Sequence, residues 1–289
     1  MTDYLSKGRK ASEIDEKTGF FLRALQVGPS KSGKTTAACT MPGPKLIIDG
    51  EKRASSIIGF PDTTVLDVLD LASSQSVASG TTFDKVSAMT AVKAWNIFCD
   101  INNELWLKAS KGEIDPQQTT IVDSLTALNH FSMMFLLSLN KSDGTPSEKG
   151  LGGGPAQAHY PGQMIQMMQL IISMRGLPCH IIFNGHLDLF EDKKTGELRY
   201  LPYMYGKTRG QVGSWFDETY ETERKTDPVT RKVSYFWNTA GSGQKDFIGS
   251  SLNRQGKLWT SPFEINLNEN PCGFAKILKL RFGEKGGAT

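Results

Sequence analysis

The sequence predicts an α/β fold in which a mostly parallel central sheet is flanked by helices and extended by antiparallel strands toward the C-terminus. Short apolar runs that end in glycine or a carboxylate alternate with segments whose apolar residues recur at helical spacing. This alternation is typical of buried parallel strands joined by helical crossovers. Residues 216–223 and 233–240 are two further strand-like runs joined by a polar turn, which indicates an antiparallel pair.

Length and composition limit the classes of protein that the chain can represent. With 289 residues and a net charge of +3, it suits one large domain, and only a local cluster of basic residues could favour nucleic acid. The four cysteines are widely separated, which argues against a disulfide framework or a zinc site. We see neither a signal peptide nor an apolar run of membrane-spanning length, and we expect a cytoplasmic protein without membrane contact.

The first strand, residues 20–27, leads into a glycine-rich loop that fits G-x-x-x-x-G-K-[ST]. Gly28, Gly33, Lys34 and Thr35 occupy its four fixed positions. This spacing lets backbone N–H groups surround a phosphate, while the lysine reaches the β- and γ-phosphates and the threonine hydroxyl joins the shell of Mg²⁺. The loop therefore predicts a nucleotide site. The expected contacts are Gly28, Pro29, Ser30, Lys31, Ser32, Gly33, Lys34, Thr35 and Thr36.

The next strand, residues 45–51, is a short apolar run that ends in two carboxylates. Open α/β sheets place their chemistry at the carboxyl ends of such strands, where Glu51 could polarise an attacking water. The alternative is an exposed strand end without a catalytic role. Residues 72–82 are predicted to form a loop, and residues 86–105 a long amphipathic helix with its apolar stripe against the sheet.

A β-branched strand, residues 119–124, carries Asp123 near its carboxyl end. Downstream of a phosphate loop, such an acid is expected to join the threonine hydroxyl in the Mg²⁺ shell, so Thr35 and Asp123 are the predicted metal-site residues. A helix over 125–139 precedes a glycine-rich loop over 140–155, and another helix begins at Pro161.

The strand over 179–186 ends in Gly185-His186. Its position among the strand ends lets His186 reach a γ-phosphate; the alternative is a histidine whose hydrogen bonds are satisfied inside the protein. His180, at the start of the strand, is interpreted as structural.

A hairpin over 187–200 is followed by a basic segment, 198–216, without Asp or Glu. Cations interleaved with aromatic rings suit single-stranded nucleic acid, because the cations meet phosphates and the rings stack on bases. The alternative is a solvated hairpin with its tyrosines folded onto the core. The candidate DNA contacts are Arg199, Tyr203, Tyr205, Lys207 and Arg209.

Three parts are expected along the chain. Residues 1–19 form a polar arm that is either mobile or docked on a neighbouring subunit, residues 20–265 form the core that carries the nucleotide site, and residues 266–289 form a basic tail.

The order of these parts resembles the RecA core of P-loop NTPases. The matching strands end in Asp49-Gly50-Glu51, Val122-Asp123-Ser124 and Gly185-His186. The short chain is similar to phage-encoded RecA-like ATPases of the Sak type, which are single-strand annealing proteins. That similarity rests on His186, Pro202, Gly206-Lys207 and Phe216-Asp217-Glu218. Bacterial RecA has Asn-Gln where this chain has Gly185-His186.

The resemblance implies an Mg²⁺-dependent, DNA-stimulated ATPase that binds ATP and single-stranded DNA and promotes annealing or strand pairing in phage-type recombination. It implies a homo-oligomer, ring or filament, in the cytoplasm of a bacterial host, with a single-strand-binding protein as a further partner. Lys34, Glu51 and His186 would be catalytic, and a cation from the next subunit would complete the site. The candidate for that cation is Lys245, with Arg254 as the alternative.

Three other functions remain as alternatives. A helicase or packaging motor uses the same core, although it usually carries additional domains. A P-loop scaffold would use ATP only to assemble. A small-molecule kinase would need an arginine-bearing lid, and no arginine occurs between Asp123 and Arg175.

Overall fold

The computed structural model describes residues 20–73, 83–139, 155–191, 195–253 and 255–283. The predicted arm (1–19), most of the glycine-rich loop and Arg254 lie outside these ranges. The strands, in chain order, are β1 Arg23–Val27, β2 Lys45–Asp49, β3 Thr63–Asp67, β4 Thr119–Asp123, β5 His180–Gly185, β6 Leu187–Glu191, β7 Leu198–Pro202, β8 Glu218–Thr226, β9 Val233–Asn238, β10 Gly249–Ser250 and β11 Phe263–Glu264.

The helices connect most of these strands. In chain order they are α1 Lys34–Ala38, α2 Val68–Ser73, α3 Phe83–Ser110, α4 Leu125–Ser138, α5 His159–Arg175, α6 Thr208–Gln211 and α7 Gly273–Phe282. In the described part of the chain, no helix combines the length and the apolar character needed to cross a bilayer.

The central sheet has the order β11-β9-β8-β1-β5-β4-β2-β3, and β10 pairs with β8. Strands from β3 to β8 along this order run parallel to their neighbours, whereas β9, β10 and β11 are antiparallel. This arrangement confirms the predicted α/β class with an antiparallel C-terminal extension. Strands β6 and β7 form a separate two-stranded sheet, as the predicted hairpin requires.

Apolar side chains cover both faces of the sheet, because its central strands alternate their residues between two buried layers. Leu25 and Phe183 pack in the layer that contains α3, α4 and α5. Ala24 and Ile182, their neighbours in sequence, pack in the layer on the opposite face, which also contains Trp237. The sheet is therefore a rigid platform whose carboxyl edge carries the polar residues.

Several elements of the described chain were not predicted, among them the short helix α6 and the short strands β10 and β11. Strand β3 lies at the edge of the sheet, where its residues are only partly buried, so its apolar signal is weak. Helix α2 lies mostly before the segment predicted as a loop, 72–82, and overlaps it only at residues 72 and 73. Helix α7 lies in the predicted tail, yet Phe274 and Ile277 are fully buried, so these residues belong to the packed core. The folded unit thus extends beyond residue 265, because this helix covers apolar surface of the sheet.

Candidate functional site

The phosphate loop connects β1 to α1 at the carboxyl edge of the sheet. Gly28 packs so closely against the backbone of β8 that an added Cβ would lie 2.4 Å from the Thr222 carbonyl oxygen. Gly33 has φ +89°, and its Cβ would lie 2.8 Å from the Tyr235 ring. Both glycines are therefore required by the local geometry. Ser32 is 1% exposed, and its hydroxyl has no hydrogen-bond partner among the described residues.

Lys34 begins α1 and is 7% exposed. Its Nζ atom donates to the carbonyl oxygens of Gly28 at 2.9 Å and Pro29 at 2.8 Å, so the side chain folds back over the loop. Burial lowers its pKa to about 8, although the nearby carboxylates of Asp123 and Glu51 act in the opposite direction. An anion in the loop would favour the charged ammonium and would restore the pKa toward its ordinary value.

Thr35 and Asp123, the predicted metal-site pair, are in direct contact. The Thr35 hydroxyl donates to Asp123 Oδ2 at 2.6 Å. Asp123 ends β4, in register with Asp49 of β2 and Asn184 of β5, which places it at the carboxyl edge. Desolvation by burial raises the pKa of Asp123, and a bound divalent cation would counter this effect.

Glu51 follows β2 in a turn that Asp49 organises. The Asp49 carboxylate accepts hydrogen bonds from the backbone N–H groups of Glu51, Lys52 and Arg53, each at 2.8 Å. Asp49 is 3% exposed, so these bonds anchor the turn to the end of the strand. The anchor brings the Glu51 side chain over the edge of the sheet, toward β4 and β5.

The Glu51 carboxylate has three partners. Its Oε1 atom accepts from the Ser124 hydroxyl and, at 3.0 Å, from His186 Nε2, while Oε2 lies 3.2 Å from an Arg53 guanidinium nitrogen. Burial alone would raise the pKa of Glu51, but the hydrogen bonds from His186 and Ser124, together with nearby positive charge, lower it to about 2. Glu51 is therefore ionised and held in place.

His186 lies directly after β5, and the structure brings its ring to Glu51. Its backbone N–H donates to the Thr126 hydroxyl at 3.0 Å, which orients the residue from α4. Its carbonyl oxygen accepts from the Tyr203 N–H at 2.8 Å, just beyond the end of β7. His186 thus joins the Glu51 carboxylate to the base of the hairpin, and its expected contact with a γ-phosphate stays a prediction.

A cavity of about 580 Å³ gathers these residues at the edge of the sheet. Its lining includes Ser30, Lys31, Ser32, Gly33, Lys34, Thr35, Thr36, Glu51, Arg53, Ser55, Ser56, Asp123, His186 and Tyr235. Four of these residues were not predicted from the sequence: Arg53, Ser55, Ser56 and Tyr235. Arg53 follows Glu51 by two positions, which was the available signal, whereas Tyr235 reaches the loop only through the pairing of β9 with β8.

Lys245 is not among the cavity-lining residues of the described chain. Its Nζ atom lies 2.5 Å from Glu221 Oε1 and 3.8 Å from Glu223 Oε1, and 5.0 Å from the centre of the Tyr200 ring. In its own chain this cation is therefore neutralised by two carboxylates. Its expected role in a neighbouring subunit stays a prediction, and the alternative, Arg254, lies outside the described residues.

The five candidate DNA contacts differ in their surroundings. Tyr203 is 52% exposed, and Lys207 is also exposed. Arg199 pairs with Glu197, which lies two positions earlier in the chain. Tyr205 packs edge-on against Tyr160, at 6.5 Å between ring centroids.

Arg209 is also committed to contacts inside the chain. Its guanidinium stacks over Phe190 at 4.9 Å and donates to the Gly206 carbonyl oxygen. The short helix α6 and the buried Thr208 hold this segment in place. Tyr203, Lys207 and Arg199 are thus the exposed candidates, whereas Tyr205 and Arg209 are partly buried.

Comparison with known proteins identifies the domain. Residues 21–246 match the AAA domain family. A search of the curated proteins found no match. The family match spans most of the chain and includes every residue that lines the cavity described above. The chain therefore belongs to the AAA domain family and contains a P-loop domain of the ATPase type.

Proposed function

We propose that the chain is an Mg²⁺-dependent ATPase that binds single-stranded DNA and promotes annealing or strand pairing, in the manner of phage-type recombination proteins. The observation that carries the ATPase half is the contact between Thr35 Oγ1 and Asp123 Oδ2, 2.6 Å apart beside the phosphate loop. A hydroxyl and a carboxylate in contact at this position are suited to share one Mg²⁺, which prefers oxygen ligands and keeps phosphates and waters in its shell.

The residues present fit a nucleoside triphosphate. The buried Ser32 hydroxyl lacks a hydrogen-bond partner in the described part of the chain, and Lys34 is folded onto carbonyl oxygens that an anion can replace. Backbone N–H groups of the loop and the N-terminus of α1 add positive potential. Mg²⁺ bound by Thr35 and Asp123 would neutralise phosphate charge, while Lys34 would hold the β- and γ-phosphates.

Glu51 is the residue that we assign to orient the attacking water. It is ionised, as its pKa of about 2 requires, and it lies in the same cavity as the phosphate loop. Its oxygens are nevertheless occupied by Ser124, His186 and Arg53. Hydrolysis therefore needs a rearrangement that frees one oxygen for water.

The hairpin supplies a physical reason for stimulation by DNA. Tyr203 is bound through its backbone N–H to His186, and the His186 ring is bound to Glu51. A DNA strand that stacks on Tyr203 and pairs its phosphates with Lys207 would act on the residues that connect Tyr203, through His186, to the catalytic carboxylate. This connection favours a DNA-acting ATPase over a scaffold that uses ATP only to assemble.

Two variants test the ATPase assignment. Lys34→Ala should abolish ATP turnover and weaken nucleotide binding, because it removes the cation that holds the phosphates. Glu51→Gln should keep nucleotide binding and slow hydrolysis, because the loop stays intact. Nucleotide affinity from fluorescence titration and phosphate release should be measured for both. An equal loss of affinity in the two variants would contradict the role of Glu51.

The DNA assignment is tested separately by fluorescence anisotropy of a labelled oligonucleotide, with ATP or ADP present. Binding should exceed that of an acidic polymer of equal charge. Turnover of ATP without any oligonucleotide binding would leave the ATPase standing and would favour the motor or scaffold alternative.

A further inference from the structure

Arg53 lines the cavity, where it faces both the Glu51 carboxylate and the phosphate loop. One of its guanidinium nitrogens lies 3.2 Å from Glu51 Oε2 and 3.5 Å from the Ser30 hydroxyl of the loop. Its side chain is 64% exposed, so the guanidinium can move without disturbing the core. Its backbone, by contrast, is anchored by the 2.8 Å hydrogen bond to Asp49.

This arrangement creates an electrostatic conflict when a triphosphate enters the cavity. Glu51 is an anion, and the terminal phosphate brings further negative charge into the same enclosed space. Like charges that share a site repel each other unless a cation lies between them. A guanidinium has five N–H donors in a fixed planar arrangement, and it binds phosphate oxygens in bidentate fashion.

We propose that Arg53 recognises the terminal phosphate of a nucleoside triphosphate from within the same chain, and that it leaves Glu51 in order to do so. The inference rests on the proposed ATPase function and deepens it. In the structure the guanidinium occupies Glu51 Oε2. On triphosphate binding it turns toward the phosphate loop, which removes the guanidinium from that oxygen and leaves His186 Nε2, at 3.3 Å, as its remaining side-chain contact among the described residues. A diphosphate offers no terminal phosphate at this position, so Arg53 stays on Glu51.

The neighbouring residue provides a matched control. Lys52 carries the same charge and adjoins Arg53, but its side chain pairs with Asp70, away from the cavity lining. Arg53→Gln and Lys52→Gln therefore remove one positive charge each, from almost the same place in the sequence. Only the first variant removes a cation from the cavity.

The test measures equilibrium binding of two fluorescent nucleotides, ADP and a non-hydrolysable ATP analogue, with Mg²⁺. Arg53→Gln should bind ADP as the unmodified chain does and should bind the triphosphate about tenfold more weakly. Lys52→Gln should bind both as the unmodified chain does. Arg53→Lys should recover part of the triphosphate affinity, because it restores the charge without the planar pair of donors.

A double-variant cycle tests the exchange of partners. Glu51→Gln removes the carboxylate that competes for the guanidinium, so it should tighten triphosphate binding several-fold while leaving ADP unchanged. The gain should disappear in the double variant Glu51→Gln, Arg53→Gln. An additive cycle would show that the two side chains do not compete and would overturn the exchange.

The remaining outcomes are also decisive. If Arg53→Gln keeps the full preference for the triphosphate, or loses ADP and triphosphate equally, Arg53 does not recognise a terminal phosphate. A thermal unfolding curve like that of the unmodified chain excludes misfolding as the cause of a loss. If the unmodified chain binds neither nucleotide, the proposed function itself fails, whatever Arg53 does.

Discussion

Replacing His186 by alanine tests how the Glu51 carboxylate is controlled. His186 Nε2 lies 3.0 Å from Oε1 and 3.3 Å from Oε2 of Glu51, and the Glu51 side chain is only 15% exposed. A hydrogen bond to a charged group contributes about 1.5–3 kcal/mol to stability, and the low solvent exposure of Glu51 reduces the loss of this energy to screening by water. The alanine variant also removes a bond to the charged form of Glu51, so the pKa of Glu51 should rise from about 2 toward its ordinary value.

The expected result is a rise in ATP turnover without DNA. If the His186 bond must break before Glu51 can orient water, its removal lowers the barrier by about the energy of that bond. About 1.4 kcal/mol corresponds to a tenfold change in rate, so a bond of about 1.5–3 kcal/mol predicts a rise in basal turnover of about 10- to 140-fold, and stimulation by an oligonucleotide should fall correspondingly. The acid side of the pH profile of turnover should move to higher pH, because a Glu51 with a higher pKa is protonated at a higher pH.

The assay is steady-state phosphate release as a function of pH, with and without an oligonucleotide, combined with nucleotide binding. His130→Ala is a suitable control, since His130 is a solvent-exposed residue of α4 and is not among the cavity-lining residues. A fall in turnover, accompanied by weaker binding of the triphosphate but not of ADP, would refute the reasoning. That outcome would instead support the γ-phosphate contact expected from the sequence.

Three further predictions concern the surface, the core and assembly. Tyr203→Ala should weaken oligonucleotide binding by about 1–3 kcal/mol without changing its salt dependence, whereas Lys207→Ala should flatten that dependence; equal salt slopes would contradict the distinction. His180 has its pKa lowered to about 4 by burial, and its Nδ1 accepts from the Leu22 N–H. Because only the unfolded chain then binds a proton between about pH 6.5 and pH 4, stability should fall on acidification through this window, by on the order of 3 kcal/mol. Chemical unfolding of His180→Gln should show a flatter profile, and an unchanged profile would exclude this histidine as the cause. Mixing Lys245→Ala subunits with subunits defective in Lys34 should restore some turnover if the lysine acts across the interface, and no recovery in proven mixed oligomers would argue against it.

Local patterns carried most of the fold prediction. The phosphate loop, the strand that ends at Asp123 and the strand that ends at Gly185 are each defined by residues adjacent in sequence. The apolar runs of these strands are buried on both faces of the sheet, so the strands can be recognised in the sequence as short runs of apolar residues. Helix α7 was missed because its buried residues, Phe274 and Ile277, follow a short polar stretch and offer too few turns for a clear period.

The contacts within the site were less predictable, since they join residues far apart in the chain. The placement of Glu51 and His186 at the carboxyl edge could be expected, because parallel strands end there. The contact between these two side chains could not be expected, because it requires the turn that Asp49 anchors after β2 to extend across the end of β4 to the end of β5. Tyr235 reaches the loop from an antiparallel strand, and the pairing register that brings it there leaves no trace in the residue pattern.

The order of the strands explains why one histidine contacts both the Glu51 carboxylate and the hairpin. Strand β5 lies between β1, which leads into the phosphate loop, and β4, which ends at Asp123. Its carboxyl end is therefore at the centre of the cavity, and the hairpin begins one residue after β5 ends. No long connection separates β5 from the hairpin, and a displacement of Tyr203 at the base of the hairpin acts directly on its hydrogen bond to the His186 carbonyl oxygen. Because the ring of the same residue donates to Glu51, we expect a partner that displaces Tyr203 to change the mobility of the carboxylate that we assign to hydrolysis.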